Sequence, residues 1–316
     1  MTAAAENWVK VCAVVVTFNP DPSTLGKLLD SVLLQSDKVV LVDNGSTDAS
    51  TVSMERPGVD VLLLGENLGL AAAQNRGIQR ATEFGCSHVL LLDQDSILAP
   101  DMVARLLAAE ARYTLQGVRV GVVGPRFVDS DTGAETWFHG RGPLRYRYLK
   151  GTESDPVVRA DLLIASGMLI RCGVLDAVGG MDETLFIDLV DTEWCLRAAS
   201  AGYVILGASD AMMYHSIGSG SVKSPGGKGR RGTFPIHPPL RYYYMFRNSL
   251  ILTLKAGIPG WWKLNNAMEL LFLLVCVSFM PAARLTVLMM MARGVADGLL
   301  ARQGQYLRGK TCHMIR

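Results

Sequence analysis

Several groups of residues in the 316-residue chain have the types and spacing that chemistry needs. Asp93-Gln94-Asp95 follows the apolar run at 90–92. Two carboxylates two residues apart at a strand end could hold a hard divalent cation beside phosphate oxygens, or form an Asx turn before the helix that Pro100 opens. Asp43 follows another apolar run and precedes Gly45-Ser46, so its carboxylate could accept the N3 hydrogen of a pyrimidine base or serve the turn. In FIDLVDTEWCLR (186–197), Asp191 and Glu193 fall in the first turns of a helix starting near Leu189. The helix dipole favours carboxylates there, and capping is the plain reading. A general base would need one of them beside a metal-bound phosphate ester. Arg197, four residues after Glu193, can pair with it. His215 ends a short apolar strand and could complete a metal site or be structural. After it, Lys223, Lys228, Arg230 and Arg231 lie in a Gly-rich stretch that could fold over a diphosphate as a lid or remain a solvated loop.

The elements that must position these residues alternate. Residues 11–18 (VCAVVVTF) form a β-branched run that predicts a strand buried on both faces. Asp21 is suited to cap the helix that follows, with Pro22 in its first turn. Strands are predicted at 39–42, 59–64, 89–92 and 120–123, with a helix over 70–84 ended by Gly85 and another from Pro100. This βαβ order implies an α/β fold, a mostly parallel sheet with helices on both faces. Polar groups then follow four strand ends on one edge, where such sheets bind ligands. Periodicity fades from 126 to 158, which is read as a loop excursion from the sheet. Order returns at 160–170, in a helix near 189–200 and in a short strand at 211–214.

Composition narrows the function. No CxxC pair occurs among the six cysteines, so neither a zinc site nor a disulfide framework is implied. The chain lacks GxGxxG after the first strand, against a dinucleotide oxidoreductase, and lacks a GxxxxGK[ST] phosphate loop. The formal net charge of +2 hides a division: residues 1–210 carry 17 basic and 27 acidic groups, and residues 211–316 carry 14 basic and 2 acidic. Nucleic-acid binding is not expected, because stacking aromatics in a recognised module are missing. The N-terminus has no secretory-signal pattern, which points to the cytoplasm. The eleven-residue apolar run at 270–280 is short of the roughly 20 needed to span a bilayer. With Pro281, Arg284 and the apolar stretch 285–292 it reads as an interfacial or core-packed helix pair.

Taken in order, VVVTFNP (14–20), VDNGSTD (42–48), ENLGLAAAQNRGI (66–78), LLDQDS (91–96), ASGMLIRCGVLDAVGGMDE (165–183) and FIDLVDTEWCLR resemble the bacterial glycosyltransferases of family 2. The last segment is most similar to rhamnosyltransferases of O-antigen and other surface polysaccharides. The resemblance covers about 11–250 and implies the GT-A fold, giving a glycosyltransferase domain at 1–250 with a lid-like loop at about 217–239, while the apolar runs and basic residues of 251–316 read as a C-terminal helical, membrane-associating extension. It implies that Thr17, Asn19 and Asp43 hold the donor nucleoside, with Asn67, Asn75 and Asp93 nearby. Asp95 and His215 would ligate Mg²⁺ or Mn²⁺ on the diphosphate, with Lys223, Arg230, Arg231 and Arg247 assisting. Asn248, beside Arg247, matches a family segment of less defined role. Asp191 would be the general base, although Val190 stands where the family usually has Glu. Asp188 is its rival, and Glu193, Trp194 and Arg197 are secondary candidates.

The implied reaction is an inverting, metal-dependent transfer of L-rhamnose from dTDP-L-rhamnose onto a glycan or polyprenyl-diphosphate-linked acceptor. The implied place is the cytoplasmic face of the inner membrane. The alternatives are another donor, of UDP-hexose or galactofuranose type, and a sugar nucleotidyltransferase.

Overall fold

The computed structural model describes residues 9–48, 54–130, 133–143, 145–215, 221–223, 233–235, 237–278 and 284–306, with only the backbone course given for 221–223 and 233–235. The first half runs β1 (Val11–Thr17), α1 (Pro22–Leu33), β2 (Lys38–Asp43), β3 (Val59–Leu63), α2 (Leu70–Glu83), β4 (His88–Asp93), β5 (Ser96–Leu98) and α3 (Met102–Leu115). Then come β6 (Val120–Asp129), β7 (Glu135–Thr136), β8 (Phe138–Gly140), β9 (Arg147–Leu149), β10 (Val157–Ala160), β11 (Leu169–Arg171), α4 (Cys172–Val178), α5 (Val190–Ser200) and β12 (Val204–His215). The chain ends with the hairpin β13 (Ser221–Lys223) and β14 (Thr233–Pro235), followed by helices α6 (Pro239–Leu254), α7 (Gly260–Ser278) and α8 (Arg284–Leu299).

The main sheet has the order β10-β12-β6-β11-β4-β1-β2-β3. β1 is parallel to both neighbours, with Thr17 opposite Asp43 and Val16 opposite Asp93. β6 is parallel to β12, with Asp129 opposite His215. The antiparallel members are β10 and β11, with β5 and β7 added antiparallel to β12 and β6. This is the expected α/β architecture, and its register delivers Thr17, Asp43, Asp93, Asp129 and His215 to one edge.

Every residue of β1 is buried, because alternate side chains enter separate cores. Val14, Val40 and Leu91 pack with α2 and α5, whereas Val15, Leu41 and Leu90 pack with α1 and α3. α1 starts where Asp21 Oδ2 accepts the Thr24 N–H at 2.8 Å. It buries Leu25, Leu28, Leu29 and Val32 completely, at about 1.5–3 kcal/mol of stabilisation each.

One expectation is corrected. The segment 126–158 is not a loop excursion: β6 continues to Asp129, β7 through β9 lie within it, and β10 starts at its end. These additions are two to four residues long and antiparallel, with half-exposed positions that give no apolar run. Likewise β12 extends over twelve residues. A register shift between Ala208 and Met212 hides all but its last part from a periodicity argument.

The C-terminal helices form a small third core around Tyr242, Phe246, Val277, Val287 and Met291. Leu252 and Trp262 tie them to the core beneath α2 and α5. α8 lies so close to α6 that a Cβ at Gly294 would strike the Tyr243 carbonyl oxygen. Among the described residues no helix is long and apolar enough to cross a membrane.

Candidate active site

The first part of the site is built by β1 and β2. Asp43 Oδ1 accepts from Ser46 Oγ at 2.5 Å and lies 3.5 Å from Thr17 Oγ1, while Asp43 Oδ2 accepts the Ser46 N–H at 3.0 Å. Asn19 has a positive φ of 48°. Its backbone N–H donates to Ser46 Oγ, and its Oδ1 accepts from Thr47 N–H at 2.8 Å. The turn needs Gly45, whose φ is +81° and whose added Cβ would collide with the Glu66 backbone. Asn67 Oδ1 accepts from Asn44 Nδ2 at 3.2 Å and from Gly69 N–H at 3.0 Å, so Asn67 fixes the neighbouring loop. Thr17, Asn19 and Asp43 are thus together, with Asn67 one connection away.

Beside them lies a cleft of about 190 Å³ lined by Asp93, Phe127, Asp129, Ile164, Ser166 and His215, among others. Burial and then the neighbouring Asp95 push the Asp93 carboxyl up to about 6, with Asp191 adding and His215 and Arg241 opposing. His215 is raised mainly by its contact with Asp95, against its burial. Gln94 Oε1 accepts the Phe18 N–H at 2.8 Å and so fastens this turn to the end of β1.

Asp191 occupies the first turn of α5. Its Oδ1 accepts from Thr192 N–H at 2.7 Å and its Oδ2 from Ala165 N–H at 3.0 Å. Burial nevertheless raises its carboxyl above the ordinary range. The next residue, Ser166, accepts the Asp93 N–H at 3.0 Å. Two consecutive residues before β11 therefore hold both aspartates.

The approach to α5 is strained: Phe186, Asp188 and Leu189 have φ of 65°, 64° and 62°. Such conformations cost about 1–3 kcal/mol each and persist where surroundings over-determine them. Here Asn248 Nδ2 donates to the carbonyls of Leu185, Ile187 and Asp188 at 2.7–3.0 Å. Leu70 N–H donates to the Phe186 carbonyl at 2.6 Å, and the Phe186 ring stacks on Tyr244. Gly69 is required beside it, since a Cβ there would meet the Phe186 ring. Asp188 Oδ1 accepts from Arg241 Nε at 3.0 Å.

Other expected site residues are placed elsewhere. Arg247, expected at the diphosphate, is 1% exposed. Its guanidinium donates to the Gly304 carbonyl at 2.5 Å, the Leu185 carbonyl at 2.8 Å and Asn248 Oδ1 at 2.9 Å, leaving it a brace for the strained turn. Gly304 N–H returns a bond to the Thr184 carbonyl at 2.7 Å, and Tyr306 N–H donates to Tyr244 Oη at 2.7 Å. Asn75, expected near the nucleoside, binds both backbone groups of Met181 and Glu183 Oε1. Glu193 is buried between Arg197, as its spacing implied, and Lys255. Trp194 is buried and donates to the Gly179 carbonyl at 2.9 Å. Glu193, Trp194 and Arg197 are accordingly structural. Lys228, Arg230 and Arg231 lie outside the described residues, as does most of the lid-like segment, and Lys223 is described only as backbone in β13.

Asp129, Ser166 and Arg241 were not anticipated. Asp129 ends a strand whose last residues are not an apolar run. Ser166 sits within the quoted ASGM stretch, but only the fold brings it to Asp93.

Among the described residues no three His, Cys, Asp or Glu side chains close around one point. Asp95 Oδ1 and His215 Nδ1 are 3.3 Å apart, yet Nδ1 is buried without a well-directed hydrogen bond. Two such donors fit a hard cation whose remaining ligands are phosphate oxygens and water.

Comparison with known proteins places this geometry. The sequence profile described as Glycosyl transferase family 2 matches residues 12–171. A dTDP-rhamnosyl transferase, RfbF, of Shigella flexneri is 32% identical over 281 residues, covering 87% of this chain and 89% of that protein. An N-acetylglucosaminyl-diphospho-decaprenol L-rhamnosyltransferase of Mycobacterium tuberculosis is 26% identical, covering 67% and 78%. Among solved structures, S. aureus TarS 1–349 with UDP-GlcNAc has a TM-score of 0.54 at 18% identity, covering 93% of this chain and 82% of that one. GalNAc-T7 with UDP, GalNAc and Mn2+ has a TM-score of 0.55 at 18% identity, covering 67% and 44%. The two structures bear on the fold alone.

Proposed function

Since the chain belongs to glycosyl transferase family 2, and is therefore a glycosyltransferase, we propose that it moves L-rhamnose from dTDP-L-rhamnose onto a hydroxyl of a lipid-linked surface-polysaccharide precursor, inverting the anomeric carbon. The observation that carries this reading is the convergence of Asp93, Asp95, His215 and Asp191 at the sheet edge where β1 and β2 present Thr17 and Asp43. The choice of rhamnose leans on the Shigella and mycobacterial relatives.

Thr17, Asn19 and Asp43 would receive the nucleoside, with Asp43 facing the base. Asp95 and His215 would hold Mg²⁺ or Mn²⁺, which when bound supplies Lewis-acid stabilisation of the departing diphosphate. Asp191 accepts the proton of the acceptor hydroxyl as that oxygen attacks from the face opposite the leaving group. Burial makes its carboxylate a better base, while the Ala165 and Thr192 N–H groups aim it. Ala165 and Ser166, consecutive residues, tie the Asp191 carboxylate and the Asp93 backbone to one segment. One carboxylate suffices, because single displacement needs no enzymic nucleophile, unlike most retaining glycosidases.

Offering the protein a panel of nucleotide sugars with Mn²⁺ tests the reading. Consumption of dTDP-L-rhamnose ahead of UDP-hexoses and UDP-galactofuranose is expected. Preference for a uridine donor would overturn the rhamnosyl assignment while leaving the family intact. The lipid-linked acceptor and a position at the inner membrane face draw support from α7, which exposes Leu264, Leu271, Phe272 and Val275.

A further inference from the structure

A second concavity lies outside the donor cleft. It holds about 130 Å³ between the 188–189 turn, α6 and α7, and is lined by Asp188, Met245, Ser249, Asn266, Glu269 and Leu273, among others. It shares no lining residue with the cleft around Asp93 and His215. It begins, however, three residues before Asp191, and burial, helped by the Asp191 charge and opposed by the Arg241 guanidinium, raises the Asp188 carboxyl.

The chemistry of the lining is mixed in a particular way. Asp188 Oδ2 is buried and has no hydrogen-bond partner among the described residues. Glu269 stands at the exposed rim of the groove, and partial desolvation there lifts its carboxyl to about 7. Ser249 Oγ donates to Asn266 Oδ1 at 3.1 Å, which directs the Asn266 amide and leaves its Nδ2 hydrogens for another acceptor. Met245 and Leu273 supply aliphatic surface. Two carboxyl groups, with Arg241 already paired to Asp188 Oδ1, disfavour a phosphate. Carboxylates that accept from hydroxyls, an amide that donates to them and aliphatic surface for C–H groups together suit a neutral sugar.

We propose that this groove is the acceptor-sugar subsite, with Asp188, Asn266 and Glu269 binding the hydroxyls of the sugar that receives the transferred group. The inference rests on the transferase reading above and on Asp191 as its base. It places the acceptor on the α6–α7 side of the strained turn and the nucleotide on the sheet side, so the attacking oxygen, beside Asp191, and the leaving diphosphate lie on opposite sides of the anomeric carbon. Glu269 and Asn266 become specificity-determining residues.

The test is saturation-transfer NMR of the full chain with saturating dTDP and Mn²⁺, using methyl glycosides of L-rhamnose, N-acetylglucosamine and galactose as probes. Wild type is expected to saturate at least one glycoside. Glu269→Ala should weaken that binding about tenfold, the loss of a charged hydrogen bond, and Leu273→Trp should abolish it by filling the groove. Calorimetric dTDP affinity should be unchanged in both. Glu269→Gln guards against misfolding, and should lose part of the binding while keeping the wild-type melting temperature. No saturation by wild type, or wild-type saturation by Glu269→Ala and Leu273→Trp, overturns the proposal. Glycoside binding that survives a failure to consume dTDP-L-rhamnose would overturn only the donor assignment.

Discussion

At Asp191 two demands conflict. A general base works best with a carboxylate lifted toward neutrality, yet a helix start and two backbone N–H groups favour the anion. Burial wins in direction. Asp191→Asn keeps the shape of the contact to Ala165 and removes the basic oxygen, so transfer should fall by about 10²–10⁴ while calorimetric nucleotide binding holds. Turnover at the wild-type rate would remove Asp191 from the mechanism. Asp95→Ala should abolish the Mn²⁺-dependent part of dTDP binding, and calorimetry with and without the ion reads it directly. Asp93 makes a pH prediction. Its carboxyl moves from 3.8 to about 6 on folding. The folded state thus favours the protonated form: the stabilisation is full below about 4 and is lost as pH rises through about 6. Nucleotide binding should rise over the same window, because the anion attracts a cation and accepts from a ribose hydroxyl more strongly than the neutral acid does. Thermal melts and calorimetry from pH 4 to 8 check both halves, and Asp93→Asn should remove the part of the change centred near 6.

At the level of elements, the turn from Phe186 to Leu189 is the part under tension. Asn248 satisfies two of its carbonyls, Ile187 and Asp188, and that of Leu185 just before it. Asn248→Ala should cost about 1–3 kcal/mol through those unsatisfied groups, seen as a lower melting temperature. It should reduce kcat with little change in donor affinity, since the donor side of the site is built by other strands. Here the limits of sequence reasoning are physical. Asp43, Asp93 and His215 were legible because each ends an apolar strand, and a parallel sheet brings such ends to one edge. Asp191 was legible through its motif. Asp129 was not, because β6 runs on past its apolar stretch, and Arg241 was not, because it reaches Asp188 from a distant helix. Arg247 and Asn75 failed differently: matching a family segment locates a residue without saying where its side chain points.

For the whole molecule, the charge division acquires a geometry. The acidic portion holds the sheet and its carboxylates, and the basic portion holds the helices whose outer face is apolar. An exposed apolar helix face within the basic part of the chain suits an anionic lipid surface. Leu271→Glu combined with Phe272→Glu should abolish co-flotation with vesicles containing phosphatidylglycerol, while dTDP binding is retained. Retained flotation would refute membrane docking through α7. Wholesale deletion of the extension is a poorer test, because Trp262 belongs to the central core.

The short stretch after α8 works as a latch. Through Gly304 and Tyr306 it is hooked to Thr184, Arg247 and Tyr244, and these hold the turn that aims Asp191. Ending the chain after Leu299 would release the hook without touching any group proposed to meet substrate. Such a truncated protein should bind nucleotide normally and transfer poorly, with the fault lying in the aim of the base.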